Sequence, residues 1–382
     1  MSGPARAGRF DIADIVRAHR RELEASQWVN ARQRRALTDI AQCRTEALGG
    51  HVEQCTACDY QQPVYHSCRN RHCPKCQALA QEKWIEQQRQ RMLDVKHFHV
   101  VFTLPAELRP LAAFAPRVVY DAMFRAVGRT LLGFGESNLD ATLGATLVLH
   151  TWTRELLYHP HIHAIVTAGG LSMDAQRFLH CGPKYLFPIA ALAKVFRAKL
   201  IDALWKDYRK ACFDGFADFD DPEGFSFLMR RLPKNWVVYA KPSFDRGEHV
   251  LQYLGRYTHR VGIVNSRLLA VTEDSVTFRT KHGKTTTITP LEFLRRFIRH
   301  VLPDGFHKLR HVGLNISATK RDAARAALSH ARPALQVLTW QQRLAQLTGR
   351  DVCLCPRCNA QLRCTPLEIR SRAPPHHMEP AA

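Results

Sequence analysis

The spacing of apolar positions changes several times along the chain, and each change marks an element. From Asp11 to about Gly49, Ile12, Ile15 and Val16 recur at helical spacing among many charges, which predicts a helical lead. Residues 50 to 76 are cysteine-rich, bounded by glycines and short of long apolar runs, the pattern of a small module stapled by metal. QALAQEKWIEQQRQRML predicts a helix leading out of it. HFHVVFTLP reads as a strand stopped by Pro105, and two helical stretches follow to about residue 135. ATLVLHTWTREL and HIHAIVTAG predict the next two strands, joined by a short connection containing Pro160. Helical spacing returns from Ile189 to Arg209, WVVYA predicts a short strand, and GEHVLQYLGRYTHRV predicts a helix. RLLAVTEDSVTFRTKHGKTTTIT reads as a hairpin with a glycine at its second turn, and Pro290 to His300 as a basic helix. Two further helical patches lead to CLCPRCNAQLRC and to SRAPPHHMEPAA, a proline-rich end with the composition of a disordered tail. Strands and helices mixed without a regular strand-helix-strand rhythm predict an α+β fold around a largely antiparallel sheet.

Charge narrows the partners. In 382 residues, 55 lysines and arginines face 34 acidic residues, a net +21, and this excess points to a polyanion. No apolar run approaches the roughly 18 residues of a membrane span, and the opening MSGPARAGRF lacks a signal-peptide core. We therefore expect no membrane partner and a cytoplasmic, nucleoid-associated setting.

Twelve cysteines in a chain of this size, clustered in CxxC pairs and with no leader expected from its opening residues, suggest metal-binding thiols rather than disulfides. Cys55-x2-Cys58, 14 residues, and Cys73-x2-Cys76 have the two-knuckle spacing of one tetrahedral zinc site, structural because four protein ligands leave no open position. Cys68 and His72 lie inside the module, so a swapped ligand or a second ion remains open. Arg69, Arg71 and Lys75 on its basic loop are candidate phosphate contacts. The terminal Cys353, Cys355, Cys358 and Cys364 leave three readings: a half-knuckle completed elsewhere, a zinc site of their own, or no metal.

In YHPHIHAIVTAGG, alternation puts His161 and His163 on one side of a strand, about 6.5 to 7 Å apart, with Ile162 on the other. Two such imidazoles can share a divalent ion and need a further protein ligand. His150, on the preceding strand, is preferred as that third ligand because a neighbouring strand approaches the ion from another direction; His159, of the same parity, is the alternative. His97-Phe98-His99 has the same form and competes for the role, but lacks the surrounding histidines and following glycines. HGKT, from His282 to Thr285, mimics the end of a phosphate-binding loop; the first glycine of that motif falls at Phe278 and the surroundings read as a hairpin, so no nucleotide cofactor is expected.

Tyr253 and Tyr257 sit four apart on the helix predicted over LQYLGRYTHR and so share a face. With Val250, Leu254 and Val261 they also make a good core stripe, and spacing alone favours packing. Gly255, Arg256, His259 and Arg260 instead surround the phenols with positive charge. A phenol, with a pKa near 10, needs cationic neighbours or a polarised electrophile to react.

Taken together, YHSCRNRHCPKCQ, HFHVVFTLP, HPHIHAIVTAGG, YLGRYTHRVGIVNSRL and LEFLRRFIRHVLPDGFHKLRHVGL resemble the rolling-circle transposases of the insertion-sequence ninety-one type, two-tyrosine members of the HUH (His-hydrophobic-His) endonucleases. The resemblance covers roughly residues 45 to 315. It implies an HUH-like antiparallel sheet flanked by helices, with residues 1–90 forming a helical lead and zinc-binding module, 91–345 the catalytic domain, and 346–382 a cysteine knuckle and tail. It also implies Mg2+ or Mn2+ on His161 and His163, Zn2+ in the cysteine module, and Tyr253 and Tyr257 as nucleophiles that nick and rejoin single-stranded DNA at transposon ends and in target DNA. HFHVV matches the family's first catalytic-domain strand, which selects HPHIH for the ion. Where relatives tend to carry a glycine-glutamine pair after the tryptophan, this chain has Trp152-Thr153-Arg154, so a ligand role for that glutamine is lost. Arg256, Arg260, Arg295, Arg296 and Arg299 are candidate DNA contacts, and exposed aromatics could stack on bases. Three alternatives stand beside this: a plasmid replication initiator or relaxase of the same chemistry, a zinc-knuckle DNA-binding regulator that does not cut, and an inactivated transposase. Relaxases usually place their tyrosines ahead of the histidine motif, and here they follow it.

Overall fold

The computed structural model describes residues 10–182, 187–216, 219, 222–244, 255, 262–331 and 338–367. The chain opens with three helices, α1 (Ile12–Ala18), α2 (Arg20–Ala25) and α3 (Ala31–Gln42), the last begun by a capping box in which Asn30 and Gln33 satisfy each other's backbone amides. A hairpin follows, β1 (Gly50–Cys55) and β2 (Gln61–Tyr65), then α4 (Ala78–Arg91) and β3 (His97–Thr103). Next come α5 (Arg109–Phe114), the long α6 (Pro116–Leu139), β4 (Ala141–Trp152), β5 (Tyr158–Ser172), β6 (Phe178–His180), α7 (Ile189–Tyr208), α8 (Pro222–Arg231) and β7 (Val238–Phe244). The second half holds β8 (Leu268–Val271), β9 (Val276–Arg279), β10 (Thr285–Ile288), α9 (Pro290–Ile298), β11 (Leu309–Gly313), α10 (Ala318–Ala327), α11 (Trp340–Thr348) and β12 (Leu362–Pro366).

Every named strand pairing is antiparallel, and the fold is α+β. The main sheet runs β11-β4-β5-β3-β7, with β6 beside β5. One face packs Phe98, Val100, Phe102, Leu147, Leu149, Ile162, Ala164 and Val166 against α6 and α7, and this is the largest apolar core. HGKT forms the turn from β9 to β10, with His282 and Gly283 at positive φ. A turn of this kind opens no helix on which a phosphate could sit.

Packing joins distant segments. Ile12, Ile15, Leu37 and Ile40 of the helical lead share a core with Phe278, Phe293, Leu294 and Phe297, and β12 pairs with β1. The terminal knuckle is therefore an edge of the N-terminal sheet. Between α9 and α10 the chain supplies β11, the strand beyond β4, which the apolar spacing does not predict; the two helical patches expected ahead of the terminal cysteines are α10 and α11.

Candidate active site and metal centres

Register decides which side chains meet. In β4 and β5, His150 pairs with His161 and Val148 with His163; in β5 and β3, Val101 pairs with His163 and His99 with Ile165. Paired residues share a face, so His97, His99, His150, His161 and His163 all project from the side opposite the large core. Ligand atoms of His150, His161 and His163 lie within 4.8 Å of one another; His150 and His163 are buried and His161 is half-buried.

The rings are held in place. His161 Nδ1 donates to the His159 carbonyl at 2.7 Å, and His163 Nδ1 lies 2.7 Å from His99 Nε2. Both bonds leave an Nε2 for an ion, the usual arrangement of metal-binding imidazoles. His150 stacks on Trp152, with ring centres 4.8 Å apart. Burial pushes His161 down to about 4 and His150 well below its ordinary value, so both stay neutral, the form that ligates. The residues present therefore fit a divalent ion. His159 lies outside this trio: Arg109 Nη2 donates to its Nδ1 at 2.8 Å.

His99 is the participant that sequence reasoning set aside. Its signal was available in the competing motif, where alternation puts His97 and His99 on one side of a strand, but only strand pairing shows which side.

Trp84 of α4 and Met92, just after it, pack on Val148 and Ile165, so α4 lies over the histidine face. Tyr253, Tyr257, Arg256 and Arg260 fall outside the described residues. Gly255, between the two tyrosines, is described: it is helical, buried and pressed on α4. A Cβ there would come within 2.5 Å of Ile85 Cδ1.

The cysteine pairs predicted to share one ion are separated. Cys73 and Cys76 join Cys43 and Cys68, while Cys55 and Cys58 join Cys355 and Cys358; each set has its four sulfurs within 4.8 Å. Cys43, just after α3, carries no motif and was legible only in space. Hydrogen bonds from Cys43, Cys68 and Cys73 pull the Cys76 thiol far below its ordinary value, the sign of one thiolate among crowded thiols. His72 is no ligand: it accepts from the Leu302 amide at 3.2 Å, and burial lowers it to about 3.

The basic candidates divide as well. Arg71 donates to the carbonyls of Phe306 at 2.6 Å and Pro303 at 2.9 Å, Lys75 pairs with Asp11, and Arg296 pairs with Glu292 at 2.7 Å. These three brace the fold, whereas Arg69, Arg295 and Arg299 are exposed. Beside Arg71 a groove of about 250 Å³ is lined by Arg32, Arg35 and Asn70, two further cations that no motif announced.

With this geometry in hand, known proteins supply the family. Residues 144–323 match a family model described as "Putative transposase", and residues 15–104 one described as "Transposase zinc-binding domain". The chain is 39% identical to the "Putative transposase y4qJ" of Sinorhizobium fredii, over 93% of this chain and 94% of that one. It is 27% identical to the "Transposase for insertion sequence element IS801" of Pseudomonas savastanoi pv. phaseolicola, over 72% of this chain and 68% of that one. No solved structure matches. No described helix is long and apolar enough to cross a membrane.

Proposed function

The chain belongs to the transposases of the insertion-sequence ninety-one type, and from that premise we propose that it nicks and rejoins single-stranded DNA at the ends of a mobile element by rolling-circle transposition. The observation that carries this reading is the His150, His161 and His163 trio, preset on adjacent strands. An ion held there would polarise the scissile phosphate and stabilise the leaving 3′ oxygen. Of Mg2+ and Mn2+, three nitrogen donors favour Mn2+, because Mg2+ prefers oxygen.

The protein's own part is to bring a phenol to the polarised phosphorus. Tyr253 or Tyr257 loses its proton and forms an oxygen–phosphorus bond as the bond to the 3′ oxygen breaks; the 3′ end takes up a proton. The 5′-phosphotyrosine keeps the energy of the broken bond, so rejoining consumes no nucleotide. Two tyrosines would let one hold a cleaved end while the other attacks a second strand. Gly255 supports this reading: it sits between them and is buried on the helix that covers the histidine face. Arg69, Arg295, Arg299, Arg32 and Arg35 are proposed to follow the DNA backbone by charge.

The test is a labelled, hairpin-bearing single strand from the element's end, incubated with the protein and Mn2+. We expect a covalent protein–DNA adduct that disappears in the Tyr253→Phe/Tyr257→Phe double variant. Binding without an adduct under any divalent metal would replace the transposase reaction by the non-cleaving regulator.

A further inference from the structure

The geometry points to a second structural zinc site, built from both ends of the chain by Cys55, Cys58, Cys355 and Cys358, which clasps the C-terminal segment onto the N-terminal sheet. The zinc-binding family model covers residues 15–104 and so holds only half of this ligand set. Residues 355 and 358 supply the rest from about 300 positions away in the chain.

Three observations carry it. The first is the spacing of the sulfurs. Cys55 to Cys358 is 3.4 Å, Cys58 to Cys358 is 3.6 Å and Cys58 to Cys355 is 3.7 Å. Four sulfurs on a tetrahedral zinc with bonds of about 2.3 Å stand about 3.8 Å apart, whereas a disulfide needs about 2.05 Å. The second is that the two halves are copies of one turn. The Cys55 amide donates to the Tyr60 carbonyl at 2.9 Å, and the Cys355 amide to the Ala360 carbonyl at 2.8 Å. Within each turn an amide two residues on faces the first sulfur, Ala57 to Cys55 at 3.3 Å and Arg357 to Cys355 at 3.4 Å. Such amides stabilise a thiolate, the state in which cysteine ligates. The third is that the strand entering the first turn pairs with the strand leaving the second: β12 runs antiparallel to β1, from Cys55 opposite Leu362 to His51 opposite Pro366.

Apolar packing is not what holds this end. On β12 only Leu362 and Pro366 are apolar, and its residues are exposed or half-buried. A short strand with so little core depends on a staple for its order. Loss of this zinc would therefore free β12 and leave β1, now the middle strand of β12-β1-β2, with an unpaired edge.

The test is cysteine alkylation of the full-length zinc-loaded protein, read residue by residue by mass spectrometry. Cys364, exposed like Cys358, is the internal standard. We expect Cys355 and Cys358 to react at least tenfold more slowly than Cys364, and to become as reactive as it when a chelator is added. In the Cys355→Ser/Cys358→Ser double variant, Cys55 and Cys58 should become reactive while Cys43, Cys68, Cys73 and Cys76 stay protected, which also shows that the remainder is folded. The cobalt-substituted protein should carry the absorption of two tetrathiolate sites per chain, falling to one in the variant. The clasp is overturned if Cys355 and Cys358 react like Cys364 in the zinc-loaded parent, if they are found as disulfides, or if the cobalt signal is that of one site. None of these readouts involves DNA cleavage, so the outcome is separate from the proposed reaction.

Discussion

Successive side chains of β5 do two different jobs. Ile162, Ala164 and Val166 enter the large core against α6 and α7, while His161, His163 and Ile165 turn the other way, beneath α4. The same division runs through β3, where Phe98, Val100 and Phe102 oppose His97 and His99. One face is filled by aliphatic and aromatic groups; the other buries imidazoles held by hydrogen bonds. A strand with period two can thus carry stability and chemistry side by side, and a substitution on one face should leave the other's property largely intact.

The largest effect should come from the apolar face. Phe102 is fully buried and meets Phe196 edge to face at 5.1 Å, so Phe102→Ala should cost about 3–5 kcal/mol of stability in denaturant melts. Next is the pH response of the metal-free protein. Burial holds His97 at about 4, against about 6.5 when unfolded, so the unfolded chain binds the proton more readily between those values. Stability is then fully present above about pH 6.5 and is lost as pH falls towards 4, by about 3 kcal/mol for a shift of this size. His97→Phe should flatten that slope in urea melts from pH 7 to 4; an unchanged slope would place the acid sensitivity elsewhere.

His161→Ala should reverse the first result. Mn2+ affinity, read by electron paramagnetic resonance, and adduct formation should each fall on the order of a hundredfold or more, while the melting temperature of the metal-free protein barely moves. The smallest effect belongs to His99, which positions His163 at 2.7 Å. His99→Phe should weaken Mn2+ binding by about 10- to 100-fold, and His99→Gln, which keeps a polar partner, should recover part of the loss. Equal losses in the two variants would mean that packing alone is at stake.

How much of this was legible beforehand follows from the range of each interaction. Alternation in HIHAIVTAG and HFHVVFTLP announced β5 and β3, and helical spacing after Ile189 announced α7, because periodicity is local to the segment that bears it. β11 was not legible: LRHVG has few apolar residues and becomes a strand only as the edge beside β4. The His161 and His163 pair could be read from parity, whereas the bond from His99 depends on register across 64 residues of sequence.

The cysteines draw the same boundary most sharply. By itself the sequence determined that CxxC turns are present and that each offers two thiolates to one ion, since that geometry spans four residues. Only the tertiary structure decided which turns combine: Cys43 and Cys68 with Cys73 and Cys76, and Cys55 and Cys58 with a turn from the far end of the chain. The physical reason is that a turn fixes ligand spacing within itself, while its partner is chosen by strand pairing and by core packing between segments far apart in the chain.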